Sequence, residues 1–498
     1  MESFLTQHKF HHVFKKGIIC AISVWLVIQM TVAVPSALAA DAAEKTKAVL
    51  DNSIAVLPFE NLSPNPDDVY FAVGIHEEIL GHLTKIQNIN PISRHSVLPY
   101  EGSDQTIPEI ASELNVETIM KGSVRYTDSQ INITVQHVDA SSNNQLWSEV
   151  YERDLSGILA IQAEIVVHIT QALGATLSAA EKERIERVPT QSLEAYVLYL
   201  KTKVIPSVQG ENKPPIYYQI LDQVIALDPD FAVAHAFKAR GYALAKRTIR
   251  PINGLTPDEM GKVSFEHAEI ALNLDPNIGL AYMAKAEIHH SHLRKAEAAQ
   301  AYERARQFNP NHMHILGGSG LFLSSIGEHD KAIQLGKRVL ELAPNYGVNH
   351  YFLGWMYMNA GKPAEAAEQF RLGNAIEPNF TRTINLGLAE ILLGNETEAL
   401  KALRNAEQLI NDKITTRGIA RLAYAFSRLG QREDAKRLFD LIQTRIANGN
   451  FINNSYLALA YLSIGEVKKA QNLLNHDPYD AFNTLNYIKP GIVDGVVE

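Results

Sequence analysis

Prolines recur at a fixed spacing in the second half of the chain. Pro276, Pro310, Pro344 and Pro378 stand 34 residues apart, and each lies in a similar phrase: LDPN, FNPN, LAPN and IEPN. Pro229, in LDPD, precedes the first of them by one such period plus an insertion of 13 residues. A period of this length is typical of stacked helix–turn–helix units, because each unit buries its apolar face only against its neighbours. The period therefore predicts an all-α solenoid rather than one compact core.

The residues between these prolines resemble the tetratricopeptide repeat (TPR) superfamily. The TPR pattern places small residues where helices cross, large residues between them, and a proline after the second helix. In the repeat that ends at Pro378, Gly354 and Phe370 take the small and the large positions. The resemblance implies a right-handed superhelical solenoid of about eight repeats over residues 190–476, followed by a C-terminal tail at 477–498.

The N-terminus has the features of an export signal. Three lysines precede residues 18–34, which are uncharged and mostly apolar, and Ala37 and Ala39 supply a small-residue cleavage pattern. Residues 1–40 are therefore predicted to be a signal peptide or an N-terminal membrane anchor. Both alternatives place the rest of the chain in the periplasm, either soluble after cleavage or attached to the inner membrane. The single cysteine, Cys20, lies within the apolar run, so a cleaved chain would hold no thiol.

Strand and helix patterns alternate between the export signal and the repeats. Residues 41–52 are predicted to be a linker, and residues 53–180 a mixed-sheet α/β domain. Two segments of alternating apolar and polar residues, 117–127 and 130–140, predict antiparallel strands, and residues 128–129 suit the tight turn of a hairpin. The domain then has a usual size, of about 125 residues.

Several phrases of this region occur in the order found in the TolB amino-terminal-like domain. The chain from Ser53 reads SIAVLPFENLSPNPDDVYFAVGIHEEILGHL, followed by PISRHSV, KGSVRY, LWSEVYERDL and AIQAEIV. Residues 53–178 therefore resemble that domain, which is found beside TPR arrays in bacterial proteins described as adenylate-cyclase-associated and as membrane-anchored regulators. The resemblance implies no catalytic residues. The chain departs from the family at Val73, because an acidic residue usually precedes the glycine that stands here as Gly74.

Charge argues against nucleic acid as a partner. The net charge of the chain is −9, and it falls to −11 once the lysine-containing first 39 residues are left out. Proteins that bind nucleic acid need basic stripes to neutralise phosphates. An acidic body therefore favours protein partners.

The sequence also lacks the motifs of an enzyme or a metal site. The phrase GIHEEILGH is a near miss to the zinc-protease motif HExxH, but His76 and His82 are six residues apart and so lie on opposite sides of a helix. Glu77 and Glu78 then belong to a solvated helix face or to a contact patch. His290 and His314 lie on adjacent repeats and could approach each other, but no acidic or thiolate ligand accompanies them. No catalytic residue, metal site or cofactor is predicted, and the chain is expected not to be an enzyme.

The first helix of each repeat is expected to line a groove that binds a protein partner. A tryptophan and two tyrosines at groove positions would anchor an extended or apolar peptide segment, because aromatic side chains carry much of the energy at interfaces. The alternative is that these side chains pack against neighbouring helices. The predicted groove residues are Tyr351, Trp355, Met358, Asn359, Ile384, Leu388, Arg417, Tyr424 and Arg428.

Together these patterns predict an exported, non-catalytic adaptor or scaffold in an envelope or signalling complex. Two alternatives remain open. In the first, the α/β domain binds a small ligand or a cell-wall fragment, and the repeats relay its occupancy. In the second, the chain is an accessory subunit of a cyclase-type signalling enzyme. The partner, the pathway and the oligomeric state do not follow from the sequence, because TPR arrays serve many unrelated processes.

Overall fold

The computed structural model describes residues 49–127, 130–207, 212–248, 252–412, 414–450 and 452–476. Four predictions fall wholly or mostly on residues outside these ranges. They concern the export segment at 1–40, the linker at 41–52, the hairpin turn at 128–129 and the tail at 477–498.

Six strands form one mixed sheet in the first part of the described chain. They are β1 (Ser53–Val56), β2 (Glu60–Asn61), β3 (Asn90–Pro91), β4 (Thr118–Thr127), β5 (Gln130–Asp139) and β6 (Gln145–Asp154). The order across the sheet is β3-β1-β4-β5-β6, and β2 also pairs with β4. Strand β1 runs parallel to β3 and β4, whereas β4, β5 and β6 are antiparallel. The predicted mixed-sheet α/β fold is confirmed.

Helices cover both faces of this sheet. They are α1 (Val69–Leu83), α2 (Arg94–Val97), α3 (Ile107–Leu114), α4 (Ile158–Ala172) and α5 (Ala179–Glu186). Successive side chains of a strand point to opposite faces. Accordingly, Ile54 and Val56 of β1 join the core beneath α1 and α4, whereas Ala55 joins the core beneath α3.

One described segment, Leu155–Ala172, is long and apolar enough to cross a membrane, judged by its length and composition alone. It contains α4. The side chains of Ile158, Ile161, Ile165 and Ile169 are fully buried in the core of the α/β domain. The segment is therefore a core helix of this domain.

Sixteen helices follow in the described residues, and they form eight consecutive pairs. The first helices of most successive pairs contact one another, so they line one face of the solenoid, which we call the inner face. The predicted all-α TPR solenoid is confirmed. The pairs are α6 (Leu193–Lys201) with α7 (Pro215–Leu227), α8 (Ala232–Thr248) with α9 (Pro257–Leu274), α10 (Gly279–Ser291) with α11 (Lys295–Phe308), α12 (Met313–Ser325) with α13 (His329–Leu342), α14 (Gly347–Asn359) with α15 (Pro363–Ile376), α16 (Phe380–Leu392) with α17 (Glu396–Gln408), α18 (Thr416–Arg428) with α19 (Arg432–Ala447), and α20 (Asn454–Ser463) with α21 (Val467–His476).

The turn inside each of the last five pairs contains a glycine in the left-handed region of backbone space. An L-residue with a side chain reaches that region only at an energetic cost, which glycine avoids. In the turn between α10 and α11, Leu293 occupies the same region, with φ +60°. The turn glycines are Gly327, Gly361, Gly394, Gly430 and Gly465, with φ between +70° and +91°.

The core of the α/β domain continues into the first helix pairs without a break. Buried residues of the sheet, α1 and α4 share one cluster with Tyr196, Leu200 and Phe231. Gly74 of α1 lies so close to α6 that a Cβ atom there would stand 2.7 Å from Leu200 Cδ2. The α/β domain and the start of the solenoid are therefore packed as one body.

Candidate functional site

Asn311 joins the solenoid to the segment that connects α1 to β3. Its Nδ2 donates hydrogen bonds to the carbonyls of Ile86 (2.8 Å) and Ile89 (2.7 Å). Its Oδ1 accepts a hydrogen bond from Arg338 Nη2 at 2.9 Å. Because Asn311 is only 5% exposed, its side-chain bonds form away from solvent. Asn311 follows one of the period prolines, so an inter-repeat loop serves as a docking surface.

The next inter-repeat loop makes a second set of contacts with the same domain. The backbone N–H of Ser93 donates to the carbonyl of Leu342 at 2.7 Å. The backbone N–H of Asn345 donates to Ser96 Oγ at 3.2 Å, and its side chain lies 3.3 Å from Tyr100 Oη. Two consecutive loops of the solenoid therefore bind one edge of the α/β domain.

These contacts border a partly open cavity of about 850 Å³, which we call the junction cavity. Its walls come from α1, the residues around β3, the connection from α5 to α6, the segment 203–207, α8, and the loops that precede α10 and α12. Both the α/β domain and the helix pairs therefore contribute to it. Its volume lies within the range of ordinary ligand pockets, about 300–1,000 Å³.

The charge of the junction cavity has the opposite sign to that of the chain. Among the described residues that line it, basic side chains outnumber carboxylates by seven to four, with histidines counted as neutral. The acidic ones are Glu77, Glu78, Asp230 and Asp275. The basic ones are Lys85, Arg94, Arg184, Arg187, Lys203, Lys213 and Arg240.

Lys203 and the two adjacent glutamates of α1 form a buried ionic cluster in the wall of this cavity. Lys203 Nζ lies 2.9 Å from Glu78 Oε1 and 3.7 Å from Glu77 Oε2, and its side chain is 6% exposed. It also lies over the rings of Tyr199 (4.5 Å) and Phe237 (4.3 Å). Burial alone would lower the pKa of Lys203, but the carboxylates of Glu78 and Glu77 outweigh it, so its pKa is raised. Of the two sequence interpretations of Glu77 and Glu78, the contact patch is therefore correct and the solvated helix face is wrong.

Two other lysines of the cavity are not neutralised in this way. Among the described residues, Lys85 Nζ lies near a histidine nitrogen, His82 Nδ1, at 3.5 Å, and Lys213 Nζ donates to the carbonyl of Ile205 at 2.5 Å. Burial lowers the pKa of Lys85 and of Lys213 more than the nearest carboxylates raise it. Each side chain thus holds a positive charge at a place that disfavours it.

Histidines of the two parts meet at the rim of this cavity. His95 stacks on Tyr346 with ring centroids 4.3 Å apart, and the ring of His314 lies 6.0 Å from that of His95. His290 lies elsewhere, with Nε2 3.1 Å from Ser325 Oγ. Within the described ranges, no group of three or more His, Cys, Asp or Glu side chains has the arrangement of a metal site.

The two histidines of the near miss to the zinc-protease motif lie in different environments. His76 is 2% exposed and its Nε2 bonds to the carbonyl of Val56 at 2.8 Å, whereas His82 lines the junction cavity. Burial lowers the pKa of His76 to about 4 and that of His82 to about 3, so both rings are neutral at pH 7.

The predicted groove residues of α14 lie mainly in the packing between helices. Trp355 and Met358 are each 2% exposed and belong to one cluster with Phe370, and Tyr351 packs against it. Asn359 is half-buried and donates to Ser324 Oγ at 2.9 Å. The larger aromatic and apolar side chains of this helix therefore expose little surface on the inner face.

Among the groove residues predicted on α16 and α18, the apolar and aromatic side chains are buried and the two arginines are more exposed. Ile384, Leu388 and Tyr424 are 0%, 4% and 6% exposed. Arg417 is half-buried, with its guanidinium 5.4 Å from the ring centroid of Tyr456, and Arg428 is exposed. Whether these residues bind a partner remains a prediction.

Arg421 lies on the same stripe of α18 and was not predicted. Its guanidinium stands 5.5 Å from the ring centroid of Trp355, and it also bonds to Asn385 Oδ1. Because residues four apart share a helix face, its position between Arg417 and Tyr424 could have indicated it. The cavity lysines gave no such signal, since Lys85, Lys203 and Lys213 are distant in sequence.

No protein-family model matches the chain. It is 35% identical over 208 residues to "Putative adenylate cyclase 3" of Rhizobium meliloti (strain 1021). The aligned region covers 42% of this chain and 35% of that protein. It is 29% identical over 123 residues to "Small glutamine-rich tetratricopeptide repeat-containing protein 2" of Mycosarcoma maydis, which covers 25% of this chain and 33% of that protein. The chain thus spans about a third of the length of these curated relatives.

Solved structures of TPR proteins are similar to parts of the chain. The type IV pilus biogenesis factor PilW matches with a TM-score of 0.35 and 16% identity, over 43% of this chain and 94% of PilW. PilF of Pseudomonas aeruginosa matches with a TM-score of 0.33 and 15% identity, over 49% of this chain and 99% of PilF. These scores are low, so the repeat fold stands on the helix pairs described above.

Proposed function

We propose that the chain is a non-catalytic adaptor whose inner face binds an acidic peptide segment of a protein partner. The observation that supports it is the stripe of Arg417, Arg421 and Arg428 on α18. Residues at these spacings share one face of a helix. The contacts with the α/β domain described above involve residues up to Tyr346, and the stripe lies beyond them along the solenoid.

The chemistry of the stripe favours carboxylates over apolar anchors. Burial of Trp355, Ile384 and Leu388 leaves those side chains little area for a partner. A guanidinium carries five N–H donors, so an arginine that stacks on a ring or bonds to one amide still has donors for a carboxylate. An extended segment with glutamates or aspartates fits this surface better than the apolar peptide that the sequence suggested.

A defined peptide tests the proposal. The protein, as residues 49–476, is titrated into a fluorescein-labelled oligoglutamate peptide. A labelled oligoglutamine peptide of the same length serves as the neutral probe. The anisotropy of the acidic peptide should rise with saturation, and the double variant Arg417→Gln and Arg428→Gln should bind about tenfold more weakly, as expected for the loss of about 1.4 kcal/mol of charge-assisted bonding.

The matched control is the double variant Arg432→Gln and Lys121→Gln, which removes the same two charges from exposed positions outside the stripe. Its affinity for the oligoglutamate should equal that of the unchanged chain at constant salt. Equal weakening by both variants would mean that net charge, and not the stripe, attracts the peptide. Equal affinity for the acidic and the neutral peptide would refute the proposal.

The adaptor is proposed to work in the periplasm. The support is the export pattern of residues 1–40. Fusion of alkaline phosphatase after residue 476 tests this location, because the phosphatase folds to its active form only where disulfides persist. An active fusion of the full chain and an inactive fusion lacking residues 1–40 are expected.

A second candidate function is that of an accessory subunit in cyclase-type signalling. It is supported by the 35% identity over 208 residues with the protein named "Putative adenylate cyclase 3". Cyclic AMP formed from ATP by the purified chain is the direct assay. No cyclic AMP is expected from the chain alone. Measurable turnover that survives repurification would mean that the chain is an enzyme and would contradict the proposal of a non-catalytic adaptor.

A further inference from the structure

We propose that the junction cavity binds a small organic anion, that is, a carboxylate- or phosphate-bearing molecule with an apolar portion. This ligand site is separate from the inner-face stripe and does not depend on the adaptor function. It is built from residues of both the α/β domain and the first helix pairs.

The surplus of positive charge is the first observation behind this site. The described lining contains seven basic side chains against four carboxylates, although the chain as a whole carries a net charge of −9. Enclosed charges of one sign focus the electrostatic potential and attract ligands of the opposite sign. An anion is therefore the ligand that this cavity favours.

The placement of Lys85 and Lys213 shows where the anion would bind. Among the described residues, neither ammonium forms an ion pair with a carboxylate, and both are half-buried at the cavity wall. Buried cations without a counter-charge are costly, and a carboxylate or phosphate oxygen beside either lysine would supply one. The downward shift of both pKa values, caused by burial, agrees with this deficit.

Other cations of the lining are already paired with carboxylates. Lys203 is fixed by Glu77 and Glu78 and by two aromatic rings, and Arg94 Nε lies 2.9 Å from Glu77 Oε1. Arg187 bonds to Asp275 Oδ1 at 2.9 Å. Three of the four cavity carboxylates, Glu77, Glu78 and Asp275, therefore already serve these cations, and Lys85 and Lys213 lack a direct carboxylate partner in a preformed site.

Apolar side chains supply the rest of the lining. The lining includes the side chains of Val73 and Leu80 of α1, Val233 and Phe237 of α8, and Ile205. A site with a few charged groups among apolar side chains binds ligands that carry both kinds of surface. An inorganic ion would leave this apolar area and most of the volume unfilled, so an organic anion is the better fit.

Binding would strengthen the junction between the two parts. Lys85 belongs to the α/β domain and Lys213 to the segment before α7, so each of the two parts contributes a cation to the site. A ligand that binds only the docked arrangement stabilises it in proportion to its saturation. The site would thus report the presence of the anion by tightening the attachment of the α/β domain to the helix pairs.

The test uses 8-anilinonaphthalene-1-sulfonate, which joins an anionic sulfonate to aromatic rings, with residues 49–476. Saturable fluorescence with one site per chain is expected. Citrate and inorganic pyrophosphate are then added as competitors, so that displacement by one or the other distinguishes a carboxylate ligand from a phosphate ligand. The double variant Lys85→Gln and Lys213→Gln should bind the sulfonate at least about tenfold more weakly, since each removes one charge-assisted contact.

Two controls keep the result interpretable. The double variant Lys121→Gln and Lys401→Gln removes the same charge from exposed positions and should leave the affinity unchanged. If the cavity lysine variant loses its native circular dichroism, Val73→Trp fills the cavity without changing charge and should abolish one-site binding. The stripe variant of Arg417 and Arg428 should bind the sulfonate normally, which separates this site from the adaptor proposal.

Three outcomes would overturn the inference. The first is an affinity of the unchanged chain weaker than about 1 mM for the sulfonate and for both competitors. The second is equal weakening by the cavity and the surface lysine variants. The third is undiminished one-site binding by a folded Val73→Trp chain.

Discussion

Replacement of Asn311 by alanine should loosen the α/β domain from the solenoid. The Asn311 side chain donates short hydrogen bonds to the carbonyls of Ile86 and Ile89, at 2.8 and 2.7 Å, and a longer one to that of Gln87, at 3.4 Å, and it accepts one from Arg338 at 2.9 Å. Alanine keeps the backbone but removes all of these bonds, and the two short ones and the arginine bond carry most of the energy. The carbonyls of Ile86 and Ile89 would then lie at a protein contact without their donor.

The expected loss follows from the number and kind of bonds. Two neutral bonds at about 1 kcal/mol each and one bond to a charged group at about 1.5 kcal/mol give a loss of about 3.5 kcal/mol in docking free energy. Because each step of about 1.4 kcal/mol is a factor of ten, this loss would raise the population of the undocked state about 300-fold.

Hydrogen–deuterium exchange measures this change at a defined amide. The N–H of Ser93 donates to the carbonyl of Leu342 across the junction, so it exchanges when the domain undocks. Its exchange should quicken by about 300-fold in Asn311→Ala. Amides of β5, in the middle of the sheet, should keep their protection because the α/β domain itself stays folded.

Asn379→Ala is the matched control. Asn379 occupies the same position of the 34-residue period, but its Oδ1 accepts hydrogen bonds from the N–H groups of Thr381 and Arg382 at the start of α16. Its loss should cost about 1 kcal/mol of local helix stability and leave the Ser93 amide unaffected. If both variants change Ser93 equally, or if neither does, Asn311 does not hold the junction.

Three further predictions concern stability. Burial lowers the pKa of His76 from 6.5 to about 4, so between these two pH values the unfolded state binds a proton that the folded state does not. The contribution of His76 to the free energy of unfolding should therefore be complete above about pH 6.5 and fall by at most about 3 kcal/mol toward pH 4. Urea unfolding of His76→Gln should show a shallower dependence on pH over that window. Gly354→Ala places a Cβ 2.8 Å from Phe370 Cδ1 and should lower the free energy of unfolding by about 1–3 kcal/mol. In the control Gly317→Ala no atom lies within 4 Å of the new Cβ, so this free energy should not fall. Calorimetric melting of both variants tests the difference. Leu293→Gly should raise stability by about 1 kcal/mol, because Leu293 stands with φ +60° in a turn where later repeats have glycine; an unchanged or lower melting temperature would contradict this reason.

Local patterns were enough to predict the elements of the fold. Alternating residues predicted strands at 117–127 and 130–140, and the structure has β4 and β5 at Thr118–Thr127 and Gln130–Asp139. The spacing of the prolines likewise predicted the helix pairs. These features depend on contacts between residues close in sequence or one period apart, so they are visible in a single chain.

Burial inside the solenoid was harder to predict. Trp355, Ile384 and Tyr424 were placed in the groove by their position in the repeat, and the structure buries each of them between helices. Position in the period fixes the face of a helix, but the packing of the neighbouring pair decides how much of that face remains exposed. The arginines of α18 keep more exposure because long charged side chains can extend past their neighbours to solvent.

The sequence by itself determined that Asn277, Asn311, Asn345 and Asn379 occupy equivalent positions after the period prolines. Only the tertiary structure decided their different roles: Asn311 and Asn345 bind the α/β domain, whereas Asn379 caps its own helix. The physical reason is that a repeat sets only contacts with its immediate neighbours. The junction cavity instead depends on contacts between residues more than 200 positions apart, and no local pattern encodes where a second domain binds.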